Sequence, residues 1–202
     1  MSVSPGIKLF APVTFAAAAT IGGLAWLRSQ TPPQTSVLQP SAPAAPFVLT
    51  DANGARFDSA RLKGKVALIF FGFTHCPDVC PTTLAAMTRV LEALGPRAAE
   101  VTAVFISVDP ERDTPEELKT FGSLFDPRIV LLTGSPYEIA AVMRDYHIYA
   151  AKVPIEGGGY TMDHTASVQL YDRDSRFRSA FDFHEDDAVI LDKVRLVLDG
   201  GG

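Results

Sequence analysis

The chain has 202 residues, of which 47% are hydrophobic and 20% are charged, a balance typical of a globular core and unlike that of a disordered chain. Its formal net charge of −5 and the lack of any Lys/Arg cluster argue against nucleic acid as a partner. Its two cysteines are too few for a disulfide-based scaffold, which indicates that the pair has a chemical function.

An uncharged apolar segment lies near the N-terminus. Residues 9–27 contain no charged side chain and are bounded by Lys8 and Arg28. As a helix this segment would span about 28 Å, which is close to the hydrocarbon thickness of a bilayer. The alanines at positions 17–19 would also suit a cleaved signal peptide, but the apolar run continues past them. We therefore predict a single-pass membrane anchor over residues 1–28, with the rest of the chain on the outer side.

A proline-rich stretch follows the predicted anchor at residues 29–46. It holds five prolines among Ser, Thr, Gln and Ala, a composition that cannot bury a core and favours an extended tether. The folded domain is therefore predicted over residues 47–202.

Strand and helix patterns alternate within this domain. A short hairpin is predicted at residues 47–57, and the continuous apolar run from Val66 indicates a strand that is buried on both faces. That run breaks at Gly72. Because proline is favoured at the first helical position, Pro81 predicts the start of a helix that has Cys80 as its cap.

The rest of the domain continues the alternation. Further strands are predicted at residues 101–108, 129–132, 165–171 and 176–181, and helices at residues 81–94, 114–124, 135–146 and 185–198. Residues 154–159, with a proline and three glycines, are expected to be mobile. These patterns predict an α/β fold in which a central sheet is flanked by helices. Active groups in such sheets lie at the carboxyl ends of strands, which is where the cysteines fall.

Cys76 and Cys80 lie at the predicted junction between a core strand and a helix. The free N–H groups and the dipole of the helix start favour thiolate over thiol. Residues four apart on a near-helical turn share a face, so the two sulfurs can converge on one ion or on each other. Two thiolates select soft ions such as Cu(I), but they leave the ion short of donors. The residues therefore indicate either a soft-metal site that needs a third ligand or a disulfide pair.

The four histidines of the chain are the candidates for a third ligand. His75 adjoins Cys76 but would point away from it, His147 ends a predicted helix, and His184 precedes the last helix as a residue of its cap region. His164 follows the glycine-rich segment and precedes a predicted strand, where it can face the cysteine turn or remain a surface histidine in a loop.

Three separated segments carry a family likeness. Residues 71–81 read FGFTHCPDVCP, residues 108–116 read VDPERDTPE, and residues 163–166 read DHTA. Together, and in this order, they resemble the signatures of the Sco/SenC family of copper proteins. The likeness extends from about residue 47 to residue 183, and a membrane anchor before a soluble domain is also the layout of that family.

The resemblance implies a thioredoxin-like fold that binds copper, as Cu(I) or Cu(II), through Cys76, Cys80 and His164, with Asp78 tuning the site. It further implies a copper chaperone that delivers copper to the binuclear copper centre of cytochrome c oxidase subunit II, or reduces its cysteines. An upstream copper donor or thiol reductant would be a further partner. We expect an inner-membrane protein whose domain faces the periplasm, or the mitochondrial intermembrane space in a eukaryote.

Other chemistries fit the same residues. Cys76 and Cys80 can form the redox pair of a membrane-anchored thiol-disulfide oxidoreductase, although the usual motif of that class spaces its cysteines one residue closer. A cis-proline normally stands at the strand edge that His164 takes here. A peroxidase of related fold would place a threonine three residues before its cysteine, whereas Thr74 lies two before Cys76. A zinc site and a binding module with a structural disulfide are the remaining interpretations. Whether the chain is an enzyme stays open.

The proposed copper site predicts the effect of oxidising the cysteines and of replacing His164. Oxidation of the cysteine pair should eject copper, and replacing His164 should weaken copper binding and leave the fold intact if that residue lies on a loop. For Asp109 and Asp113 we expect a structural role in a turn and a helix cap.

Overall fold

The computed structural model describes residues 42–182 and 184–200. The predicted anchor at residues 1–28 and the linker up to residue 41 lie outside this range. Within the described residues, no helix combines the length and the apolar character needed to cross a bilayer.

A mixed sheet forms the centre of the domain. The strands of the described chain are β1 (Val48–Asp51), β2 (Arg56–Asp58), β3 (Val66–Gly72), β4 (Val101–Ser107), β5 (Ile129–Thr133), β6 (Ala150–Pro154), β7 (Tyr160–His164), β8 (Val168–Tyr171) and β9 (Phe177–Phe181). Seven of them form one sheet in the order β2-β1-β5-β4-β3-β8-β9. Strands β3, β4 and β5 are parallel, and the outer strands pair antiparallel. Every residue of β3 is buried, as predicted for a strand covered on both faces.

Four α-helices flank the sheet in the described chain: α1 (Val79–Ala93), α2 (Pro115–Gly122), α3 (Pro136–Asp145) and α4 (Asp187–Leu198). Helices α1 and α4 pack on each other, and α4 also contacts β3, whereas α2 contacts β5. Helices α2 and α3 begin where the sequence predicts, each with a side chain that caps its first turn. Thr114 accepts the Glu117 N–H at the start of α2, and Ser135 and Glu138 form a reciprocal capping box at the start of α3.

The start of α1 differs from the sequence prediction. The helix begins at Val79 with Asp78 at the N-cap position, two residues before Pro81. The first N–H groups of a helix have no partner within it, so Pro81 in the third helical position removes no hydrogen bond. Cys80 therefore lies inside the first turn of α1 and does not cap it.

Residues 150–164 form a hairpin that the sequence analysis does not predict, and the segment 154–159 that was expected to be mobile includes its turn. Strands β6 and β7 pair antiparallel, from Ala150 opposite His164 to Pro154 opposite Tyr160. The turn between them contains three glycines with φ angles of 89°, 98° and 84°, which are left-handed conformations that glycine adopts without strain. The glycine run is thus part of a defined turn, and His164 is the last residue of a strand, where a loop position was expected.

The end of the predicted linker packs on the domain. The Ala44 N–H donates to the Ser175 carbonyl at 2.7 Å, and the Tyr146 hydroxyl donates to the Ala45 carbonyl at 3.0 Å. Pro43 forms an isolated bridge with Arg176. Residues of the predicted linker from Pro43 onward therefore contact the domain.

Candidate metal centre

The carboxyl end of β3 delivers both cysteines to one place. After Gly72 the chain turns, with the Cys76 N–H donating to the Phe73 carbonyl at 3.3 Å, and then enters α1. Cys80 is fully buried, Cys76 is partly exposed, and both are free thiols. One sulfur is therefore accessible from the surface while the other lies against the core.

Gly72 makes room for the buried sulfur. A Cβ atom at this position would lie 2.8 Å from the Cys80 Sγ and 2.8 Å from a ring carbon of Phe105. Both distances are shorter than real contacts, so only glycine lets the strand end approach the helix this closely.

The two sulfurs differ in their electrostatic surroundings. The Cys80 N–H, in the first turn of α1, donates to the Cys76 Sγ at 3.4 Å. The Cys80 thiol also donates to the Cys76 sulfur, which lowers the pKa of Cys76, and the Asp78 N–H adds to this effect. The same thiol hydrogen bond, together with burial, raises the pKa of Cys80. Cys76 is thus the thiolate of the pair and Cys80 its buried thiol, as expected for a helix N-terminus.

His164 reaches this pair from the end of β7. Its Nε2 lies 3.7 Å from the Cys80 Sγ, although the two residues are 84 positions apart. Its Nδ1 lies 2.9 Å from the Thr165 carbonyl, which can only accept, so Nδ1 carries a proton and, in the neutral ring, Nε2 has the lone pair on the side of the sulfur. The ring meets Phe73 and Phe70 edge to face, at centroid distances of 5.7 and 6.3 Å.

The donor set suits a thiophilic ion. With metal bonds of about 2.3 Å to sulfur and about 2.0 Å to nitrogen at about 120°, the two donors would lie about 3.7 Å apart. The distance between the Cys80 Sγ and the His164 Nε2 has this value. Within residues 42–182 and 184–200, however, no three Cys, His, Asp or Glu side chains already converge on one point. A small shift of the sulfurs is therefore needed to form a three-coordinate centre.

The remaining histidines engage other groups. The His75 Nδ1 lies 3.0 Å from the Thr74 Oγ1 and 3.7 Å from an Asp113 oxygen, so the ring contacts the groups that support the cysteine turn. His147 follows α3 with a left-handed φ of 57°, and His184 pairs with Asp182 at 3.4 Å.

Asp113 supports the cysteine turn more directly than its expected turn-and-cap role implies. Its fully buried carboxylate accepts hydrogen bonds from the Ser107 Oγ at 2.6 Å, the Thr74 Oγ1 at 2.7 Å and the Thr74 N–H at 3.1 Å. Burial raises the pKa of Asp113, and these donors oppose that shift. The VDPERDTPE segment signals this region, but no local pattern in the sequence pairs Asp113 with Thr74.

Comparisons with known proteins agree with this geometry. The SCO1/SenC family model matches residues 36–199 of the chain. An SCO2-like protein of Rickettsia prowazekii is 40% identical over 138 residues, or 67% of each chain. The copper-bound structure of Bradyrhizobium japonicum ScoI is 51% identical with a TM-score of 0.72, covering 77% of this chain and 99% of that one.

A structure of BsSco describes a disulfide switch in a member of the Sco family of cytochrome c oxidase assembly proteins. It is 29% identical with a TM-score of 0.62, and the match covers 78% of this chain and 94% of that one. The likeness to these solved structures confirms the predicted α/β, thioredoxin-like fold, with its mixed sheet and flanking helices. Because the family model spans almost all of the described domain and the relatives share both sequence and fold, this chain belongs to the SCO1/SenC family.

Proposed function

We propose that this chain is a copper chaperone that carries one copper ion on Cys76, Cys80 and His164. The chain delivers this ion for the metallation of the binuclear copper centre in subunit II of cytochrome c oxidase. The 3.7 Å approach of the His164 Nε2 to the Cys80 Sγ is the observation that carries the proposal, because it brings an imidazole lone pair to the cysteine pair. Membership in a family of cytochrome c oxidase assembly proteins supports the choice of acceptor.

The chemistry of the donors explains why copper is the cargo. Two thiolates and one imidazole form a soft, three-donor set that favours Cu(I), and copper also heads the affinity order of the divalent ions. Cys76 is partly exposed and Cys80 is buried, so an incoming or outgoing ion exchanges ligands at Cys76 first. His164 and Cys80 hold the ion from the protein side during that exchange.

The expected location follows from the N-terminal sequence. An anchor at residues 1–28 and a tether at residues 29–46 would hold the domain outside the inner membrane, in the periplasm or in the mitochondrial intermembrane space. There the domain would meet both an upstream copper donor and the copper centre of the oxidase.

A thiol-disulfide reductase is the second candidate, favoured by the unequal sulfurs. The Cys76 thiolate would attack a partner disulfide and release one partner thiolate, forming a mixed disulfide. The Cys80 sulfur, after losing its proton, would then displace the second partner thiolate and close the Cys76–Cys80 disulfide. The partner disulfide is reduced by two electrons and the cysteine pair is oxidised by two, so a thiol reductant must restore the pair.

Copper content separates the two candidates. We expect the reduced chain to bind one Cu(I) per molecule, and Cys76→Ala and His164→Ala to lose most of this binding because each removes a donor. Anaerobic metal analysis after gel filtration measures the ratio, with His184→Ala as the control histidine outside the site. Unfolding curves must accompany it, because His164 also packs against Phe70 and Phe73.

Unchanged copper content in His164→Ala would assign the third ligand elsewhere. Full disulfide-reductase turnover in that variant, together with little copper on the unaltered chain, would favour the reductase.

A further inference from the structure

The position of His164 depends on how its hairpin is fastened to the domain. In the described chain, β6 and β7 pair with each other and are not part of the seven-stranded sheet. Side chains alternate along a strand, so Tyr160, Met162 and His164 share one face of β7. Met162 packs against the hydrophobic core, which identifies this face as the one turned toward the domain.

Tyr160, at the start of β7, is held by the loop that follows β4. The Tyr160 hydroxyl donates to the Asp109 Oδ1 at 2.9 Å. The Arg112 Nη1 donates to the Tyr160 carbonyl at 2.9 Å, and the guanidinium lies 3.9 Å from the centroid of the Tyr160 ring. Arg112 also donates to Asp109 through its Nε, so three side chains close a ring of contacts.

A neighbouring pair adds a second link between this loop and the hairpin. The Lys152 Nζ, on β6, lies 4.5 Å from the Tyr160 ring centroid and 2.5 Å from the Glu111 carboxylate. Both of these charged groups are exposed, so this link is weaker than the buried contacts of Asp109.

The same loop continues to the cysteine turn. The Asp109 N–H donates to the Ser107 Oγ at 3.0 Å, and the Ser107 Oγ donates to Asp113, which in turn binds Thr74. Asp109 and Asp113 are both buried, with 1% or less of their surface exposed, so this path is shielded from water. One continuous chain of hydrogen bonds therefore joins the hairpin that carries His164 to the turn that carries Cys76.

We propose that Tyr160 is a positioning residue that, clamped by Asp109 and Arg112, sets the reach of His164 toward the cysteine pair. The inference rests on the proposed function, because it takes His164 as a copper ligand. The clamp fixes one end of β7 and His164 occupies the other, about 14 Å along the strand at about 3.4 Å per residue. Loss of the Tyr160 hydroxyl removes the bond to Asp109 and leaves only the Arg112 contacts at that end of β7, so the strand can shift away from the domain and the imidazole shifts with it.

Tyr160→Phe tests the clamp because it removes one hydroxyl and keeps the ring over Arg112. We expect the Cu(I) affinity of the reduced full chain, measured with a competing chelator under anaerobic conditions, to fall by about 10- to 100-fold, the usual effect of losing a group that orients a ligand. Tyr149→Phe is the matched control, since it removes a hydroxyl next to the same hairpin from a residue that is 60% exposed. Its affinity should stay within twofold of the unaltered chain.

A double-mutant cycle separates positioning from a general effect on the fold. If Tyr160 acts through His164, then Tyr160→Phe changes nothing further in a His164→Ala background. An equal loss of affinity in both backgrounds, or no loss in the single variant, would overturn the proposal.

Hydrogen exchange on the metal-free chain gives a readout that does not depend on copper. Tyr160→Phe should speed amide exchange across residues 160–164, while Tyr149→Phe should not. If His164→Ala leaves copper affinity unchanged, the ligand assignment is what fails, and exchange alone then decides the clamp. Faster exchange supports the clamp, and unchanged exchange overturns it.

Discussion

The sulfur of Cys80 occupies space that only a glycine at position 72 leaves open. We expect Gly72→Ala to push this sulfur away from His164, because the new Cβ would lie 2.8 Å from it and 2.8 Å from the Phe105 ring. Overpacking of this kind costs about 1–3 kcal/mol in the free energy of unfolding. Urea unfolding and Cu(I) binding measure the two effects, and copper affinity should fall.

Gly122→Ala provides the comparison for this substitution. Its Cβ would meet the flexible end of the Leu131 side chain at 3.1 Å, and this contact involves neither cysteine nor His164. It should change stability without changing copper affinity. Equal copper affinity in both variants would contradict the role assigned to Gly72.

The start of α1 shows what a local sequence pattern does not determine. The proline after Cys80 indicates a helix start but does not fix the first residue, since a proline fits any of the early helical positions that lack a hydrogen-bond partner. Cys80 consequently lies in the first turn of α1, where its N–H reaches the Cys76 sulfur. That contact adds to the thiol hydrogen bond and the burial of Cys80, which together make the two cysteines chemically unequal.

At the scale of elements, the capping box of α3 links stability to pH. Hydrogen bonds from the Ser135 N–H and hydroxyl, with the Arg56 guanidinium at 2.7 Å, lower the pKa of Glu138 to about 2. A lowered folded-state pKa gives stability that is present above the unfolded pKa and is lost as pH falls toward the folded value. Glu138 therefore stabilises α3 at neutral pH and loses this effect between about pH 4.3 and about pH 2.

Glu138→Gln tests this linkage. The side chain is 31% exposed, so the expected loss at pH 7 is only about 1 kcal/mol, the usual size of a cap contribution. Urea unfolding at pH 7 and at pH 3 should show the difference between the two proteins shrinking in acid. A difference of the same size at both pH values would rule out the ionised carboxylate as its source.

The hairpin of β6 and β7 is an element that the sequence analysis does not predict. Its strands are only five residues long and half-exposed, and three glycines in a row look like a flexible linker. The pairing of Ala150 with His164 becomes visible only when the two strands are placed side by side. The starts of α2 and α3, by contrast, each depend on four consecutive residues, and the sequence predicts both starts, at residues 114 and 135.

For the molecule as a whole, copper binding and thiol oxidation should exclude each other. A Cys76–Cys80 disulfide has no thiolates to offer, so only the reduced chain can gain stability from the ion. With free Cu(I) at about 100 times its Kd, the reduced chain should gain about 2.7 kcal/mol. Thermal unfolding with and without Cu(I) measures this gain in the two redox forms.

The oxidised chain is the control for the reduced chain in that experiment, because the two forms differ only in the Cys76–Cys80 disulfide. We expect its Tm to stay unchanged on addition of copper. A similar rise in both redox forms would show that the ion binds away from the cysteine pair.

The sequence by itself determined the strands and helices of the core, the carboxyl-end position of the cysteine pair and the family likeness. Each strand, helix and signature segment depends on residues close together in the chain, whose spacing and capping chemistry act locally. Only the tertiary structure decided that His164 ends a strand 3.7 Å from the Cys80 sulfur, and that Tyr160 and Asp113 tie that strand and the cysteine turn to one loop. Such contacts join residues tens of positions apart, and they follow from the order of the strands and the packing of the whole domain, which no local pattern encodes.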